Sequence, residues 1–150
     1  MVNNVFFRNE DCSGRPEQIA VANPSAVILR KNAILKPKDD PPFASESDRD
    51  LRLKPNSPLI DAGAFLTRTV GAGSGTAMPV ADVRFFSDGF GIRGMRGDLI
   101  QLEEGGERAR VERIDYGRGM LFLDTALNWK DGQGVALAFE GKAPDMGAVE

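Results

Sequence analysis

The chain has no histidine and a single cysteine, Cys12, among its 150 residues. Without imidazole it lacks the commonest general base and the commonest metal ligand. That excludes Ser-His-Asp and Cys-His nucleophilic schemes, and zinc sites that need a histidine. One cysteine cannot close an intramolecular disulfide, so no oxidising compartment is implied. Cys12 sits beside Glu10 and Asp11, and acidic neighbours disfavour a reactive thiolate. No run approaches the roughly 18 apolar residues of a membrane span. Met1 to Asn9 also lacks the charged start and apolar stretch of a secretory signal. The expected location is cytoplasmic as written, or extracellular if a signal segment precedes it. An excess of one charge is missing too: 19 basic and 22 acidic residues are interspersed, for a net charge of −3. A nucleic-acid partner calls for clustered positive charge. The expectation is no metal, no cofactor, no nucleic acid and no membrane.

What is present begins with an even spacing. Val5-Phe6-Phe7-Arg8, Val27-Ile28-Leu29-Arg30 and Leu51-Arg52-Leu53-Lys54 each end an apolar-leaning run with a cation, and Asn9, Asn32 and Asn56 follow them. Turns of about 20 to 25 residues suit a parallel coil whose equivalent positions stack roughly 4.8 Å apart. The expected inward ladders are Val5/Val27/Leu51 and Phe7/Leu29/Leu53, with asparagine amides bonding between turns. Three short apolar runs at even spacing also arise by chance in β-rich chains. Lys36 to Asp50, with Pro37, Pro41 and Pro42, reads as an excursion rather than a central strand.

From Leu53 the pattern sharpens. Leu53-Lys54-Pro55-Asn56-Ser57-Pro58-Leu59-Ile60-Asp61-Ala62-Gly63, together with Pro144-Asp145-Met146-Gly147-Ala148-Val149-Glu150, resembles the closing coil of right-handed parallel β-helix proteins of the pectate-lyase-like kind. The resemblance implies β-helix rungs over 1–63 with a closing strand over 144–150. It transfers no active site, because the catalytic residues of such lyases and hydrolases lie on earlier coils. Independently of it, Pro58 and Pro144 stop ladder pairing, and Gly63 and Gly147 permit sharp turns. Asp61 and Asp145 are then expected to accept backbone N–H bonds rather than to form a catalytic pair.

Residues 64–143 read as an inserted antiparallel β-module. Asp98 to Leu102, Arg108 to Tyr116, Met120 to Leu123 and Val135 to Phe139 carry strand patterns. The apolar phase slips between Val111 and Ile114, which calls for a bulge near Glu112-Arg113. Gly105-Gly106, Gly117-Arg118-Gly119 and Asp131-Gly132 are hairpin signals. The fold class is therefore all-β: short parallel β-helix rungs plus a small antiparallel barrel or curled sheet.

Candidate sites are few. Gly71-Ala72-Gly73-Ser74-Gly75-Thr76 lacks the Gly-Lys-Ser/Thr of a phosphate loop. Glu46, Asp48 and Asp50 lack the pattern of a calcium loop, so a solvated acidic loop is favoured. Arg84-Phe85-Phe86-Ser87-Asp88-Gly89-Phe90-Gly91 places aromatics beside charges in a glycine-bounded loop. Arg84, Phe86, Asp88 and Phe90 are candidate ligand contacts for a glycan or protein; alternatively Phe85 and Phe86 cover the module's core. Trp129 is a further candidate, with a core plug as its other reading. No catalytic residue is assigned. The favoured function is a non-catalytic module that binds a glycan or protein partner or serves as an assembly unit. The alternative is a diminutive polysaccharide lyase or glycoside hydrolase, against which three coils reach only about 15 Å. The unpaired strand edge at Phe6 and Phe7 predicts a homo-oligomer, dimer or trimer.

Overall fold

The computed structural model describes residues 2–7, 30–35 and 39–147. Among these there is no helix. The chain divides into two compact units, Met1–Ala64 with Glu140–Glu150, and Phe65–Phe139.

In the first unit, β1 (Val5–Phe7) and β2 (Ala33–Leu35) form a two-stranded parallel sheet. Val5 pairs with Ala33, and an isolated parallel bridge joins Val2 to Arg30 at the same offset. The Asn4 side-chain amide donates to Asn32 Oδ1 at 3.0 Å, and the Asn4 backbone N–H donates to the same oxygen at 3.1 Å. An asparagine amide thus links the two strands, with Asn4 as Asn32's partner. Asn9 and the Val27-Ile28-Leu29 run lie outside the described residues. The Leu51 run departs from expectation. It forms β4 (Asp50–Leu53), which pairs antiparallel with β3 (Phe43–Ser45) inside the stretch read as an excursion. The turn between them explains the preference: Arg49 takes a left-handed φ of 56° and donates to Glu46 O, and Asp48 accepts the Ser45 hydroxyl at 2.7 Å. A local hairpin closes a much shorter loop than pairing with a distant rung.

The two closing segments meet through backbone hydrogen bonds. Gly63 N–H donates to Pro144 O at 2.7 Å, and Met146 N–H to Leu59 O at 2.9 Å. Asp61 Oδ1 accepts the N–H groups of Lys142 and Ala143 at 2.7 and 3.1 Å. Asp145 Oδ1 accepts Asp61 N–H at 2.7 Å. Both carboxylates therefore serve the backbone, as expected, and the bonds from Ala143 and Lys142 hold the Asp61 carboxyl below its ordinary range. Gly63 has no room for a side chain: a Cβ there would lie 2.5 Å from Pro144 O.

The second unit is a curled six-stranded antiparallel sheet in the order β5-β10-β7-β8-β9-β6. Its strands are β5 (Thr67–Arg68), β6 (Gly73–Pro79), β7 (Leu99–Leu102), β8 (Arg108–Asp115), β9 (Met120–Trp129) and β10 (Gly134–Leu137). The outer strands approach each other at one end. A bridge joins Thr69 to Val80, Val70 N–H donates to Pro79 O and Ala81 N–H donates to Arg68 O. The bulge stands where the phase slip placed it, because the β8–β9 register shifts between Val111 and Arg113. That shift lets Ala109, Val111 and Ile114 all face the core. It also turns Arg113 outward, its guanidinium 3.5 Å from the Phe122 ring centre.

Met78, Ile100, Leu102, Val111, Leu121, Leu127 and Val135 are essentially fully buried, each contributing about 1.5 to 3 kcal/mol of transfer free energy. Buried Gln101 and Thr69 are satisfied: Gln101 Oε1 accepts Arg108 Nε at 2.8 Å, and Thr69 Oγ1 donates to Lys130 O at 2.6 Å.

Candidate functional site

The segment from Asp82 to Asp98 leaves the core and returns to it, and its local sequence dictates how. Val83 and Phe86 are buried members of the hydrophobic core, and Phe86 N–H donates back to Val83 O. Beyond Phe86 two aspartates organise the chain. Asp98 Oδ2 accepts Ser87 N–H at 2.8 Å while Asp98 N–H donates to Ser87 O at 2.8 Å. Asp88 uses one oxygen to accept Phe90 N–H at 3.0 Å and the other to accept Ile114 N–H of β8 at 3.1 Å. Arg110 pins the far end through Nη1 to Gly97 O at 2.7 Å.

Within this frame lie two tight turns, closed by Ile92 N–H to Gly89 O and Met95 N–H to Ile92 O. Three consecutive residues are left-handed: Gly89 (81°), Phe90 (51°) and Gly91 (69°). Glycine takes such angles freely, whereas a bulky aromatic there is strained by about 1 to 3 kcal/mol. Such strain persists only where the surroundings impose it, and it concentrates at functional loops. Here it aims the Phe90 ring into solvent, 65% exposed. Ile92 and Met95 follow at 54% each. Arg93 and Arg96 are exposed between and beyond them. The result is a compact apolar tip on a braced base.

Of the five sequence-derived candidates, the structure places four on this segment, in very different situations. Arg84 is exposed, but its guanidinium grips Asp82 with two bonds of 2.9 and 2.7 Å, which raises its pKa. Asp88 spends both oxygens on backbone N–H groups. Phe90 alone of the five presents its ring. Phe86 is 4% exposed, and Trp129 is 7% exposed on β9. Trp129 packs over Gly73, where a Cβ would lie 2.8 Å from the indole, and its Nε1 has no hydrogen-bond partner among the described residues. Sequence reasoning passed over Ile92 and Met95. The signal for them was the glycine spacing, since Gly91, Gly94 and Gly97 interrupt a stretch whose apolar residues then have no periodicity with which to bury themselves.

In the first unit, Pro41, Pro42, Pro55, Pro58, Leu35 and Leu59 help to line an apolar cleft of about 470 Å³. The Lys54 and Asp40 side chains in its lining pair with each other at 2.8 Å. In the acidic stretch nearby, the hydrogen bond from Arg52 holds the Asp50 carboxyl down to about 2. Among the described residues no three acidic, histidine or cysteine side chains converge as a metal site would require. No family model, curated protein or solved structure matches the chain.

Proposed function

We propose that the chain is a non-catalytic β-module that binds a macromolecular partner through the tip of the loop from Ser87 to Gly97. One observation carries this reading: Phe90, Ile92 and Met95 stand exposed together on a loop held by Asp88, Asp98 and Arg110. Large apolar side chains scattered over a surface need no explanation. Three within six residues, displayed on a hydrogen-bonded frame, match the preorganised anchors that dominate binding energy. A protein partner fits better than a glycan. Sugar hydroxyls call for acceptors as well as donors, and here the Asp88 oxygens are already engaged, while the arginine side chains of the tip only donate. The test is Phe90→Ala/Ile92→Ala/Met95→Ala on the whole chain. Its melting temperature should stay within a few degrees of the parent's, while capture on protein and glycan arrays is lost. Array capture that survives the triple change would refute the assignment.

The first unit is best read as the end of a right-handed parallel β-helix. Support comes from a bend repeated in two stacked strands. Asn3 (φ 58°) and Lys31 (φ 46°) are both left-handed, at the 28-residue offset that also separates Asn4 from Asn32. Equivalent bends and a shared amide are what successive coils require. If so, Asn32→Ala removes the acceptor for Asn4 N–H and should speed its hydrogen exchange at least tenfold, the loss of about 1.4 kcal/mol of protection. An unchanged exchange rate would mean that the amide does not tie the strands.

A further inference from the structure

Accepting the loop as the binding surface, we infer that its partner is a protein presenting an apolar pocket rimmed by carboxylates. The charge pattern leads there. Between Asp88 and Asp98 the charged side chains are Arg93 and Arg96. Both are exposed, and neither side chain makes a hydrogen bond or ion pair among the described residues. The two aspartates keep their charge at the base, where their oxygens meet the N–H groups of Phe90, Ile114 and Ser87, and neither forms an ion pair with either arginine among the described residues. On a chain of net charge −3, this tip is therefore locally cationic and apolar. Its side chains between Gly89 and Gly97 are apolar or donate hydrogen bonds, and no acidic, amide or hydroxyl side chain lies among them.

The same features tell against other occupants. In a bilayer, each backbone polar group carried into hydrocarbon must be satisfied internally. At this tip the N–H groups of Gly91, Arg93, Gly94 and Arg96 make no hydrogen bond among the described residues. A protein rim supplies acceptors for them, as acyl chains do not. A nucleic-acid backbone would use the two arginines but leave Phe90, Ile92 and Met95 without a complement. A second copy docked tip to tip would set arginines against arginines.

The experiment uses the whole chain as bait for a displayed library of randomised single-domain binders, a probe that converges on energetic anchors. Recurrent binders should lose about 30-fold or more in affinity on Phe90→Ala, the scale of a hot-spot residue. They should carry net acidic binding faces. Arg93→Gln/Arg96→Gln should slow their association about tenfold. Raising salt to about 1 M, where the Debye length is about 3 Å, should do the same. Binders that need Phe90 but are neutral or basic, with no salt dependence, overturn the acidic rim and leave the binding loop standing. Binders indifferent to Phe90→Ala overturn the binding loop itself. Loop-dependent capture by vesicles of equal phosphatidylglycerol and phosphatidylcholine assigns the tip to a membrane and overturns the protein partner.

Discussion

Replacing Phe86 with alanine should lower stability by about 3 to 5 kcal/mol, the usual cost of deleting a buried phenylalanine ring. Replacing Phe90, four residues away, should cost almost nothing. The two rings come from one short aromatic stretch, and the structure separates them: Phe86 is 4% exposed and Phe90 is 65% exposed. Phe86 packs in the cluster that includes Val83, Ile100 and Val111, so its removal leaves a cavity among β-strands that cannot easily collapse. In a unit of this size, about 1 kcal/mol moves the melting temperature by about 4 to 8 °C. Thermal unfolding followed by circular dichroism should therefore show Phe86→Ala melting at least about 12 °C below the parent. Phe90→Ala should lie within a few degrees, or slightly above if the strain of a left-handed aromatic is relieved. Equal shifts for the two variants would contradict the burial on which both the core and the proposed binding tip depend.

That contrast marks where sequence reasoning reached and where it stopped. Strands β7, β8 and the start of β9 were legible because alternating apolar residues and paired glycines state their period and their turns. The bulge was legible too, since Val111 and Ile114 cannot both face inward without an extra residue between them. Strand β6 was missed: Gly73, Ser74, Gly75, Thr76 and Ala77 carry almost no apolar signal. Their pairing is decided across the sheet, where the Trp129 indole occupies the space that a Gly73 side chain would need. Strand β9 was read too short because Asp124, Thr125 and Ala126 interrupt the pattern. The chain continues through them, and the β6–β9 register shifts between Gly75 and Ala77 before Leu127 and Trp129 return to the core. Among the candidate residues, the aromatic stretch drew attention to the loop, but composition cannot distinguish Phe86 from Phe90. The turn and hairpin bonds that settle it run to partners as distant as Ile114. In the first unit, the spacing pointed to Asn9, Asn32 and Asn56, whereas the described pairing joins Asn32 to Asn4, and the Leu51 run went to a local hairpin.

Gly97 is the position where a single methyl group should do most damage. It stands between the Ser87–Gly97 loop and β7, and β8 passes so close that an added Cβ would collide with Val111 O and lie 2.9 Å from Ser87 O. Both obstacles are backbone carbonyls, held by the ladder and by the Asp98–Ser87 bond, so neither can swing aside as a side-chain tip could. Overpacking in a well-filled interior typically costs about 1 to 3 kcal/mol. With rigid neighbours on two sides, Gly97→Ala should reach the upper end of that range, about 3 kcal/mol. It should also disturb the Arg110 bond to Gly97 O that anchors the loop. Gly106→Ala is the matched control. Among the described residues nothing lies within 4 Å of its added Cβ, and its φ is not left-handed, so the change should be neutral or stabilise by up to about 1 kcal/mol through the unfolded chain. Urea unfolding of the two variants beside the parent measures the difference. A Gly97→Ala midpoint no lower than that of Gly106→Ala would mean that β8 can withdraw from the loop base. The tip would then lose the rigid support on which its role as a preorganised anchor rests.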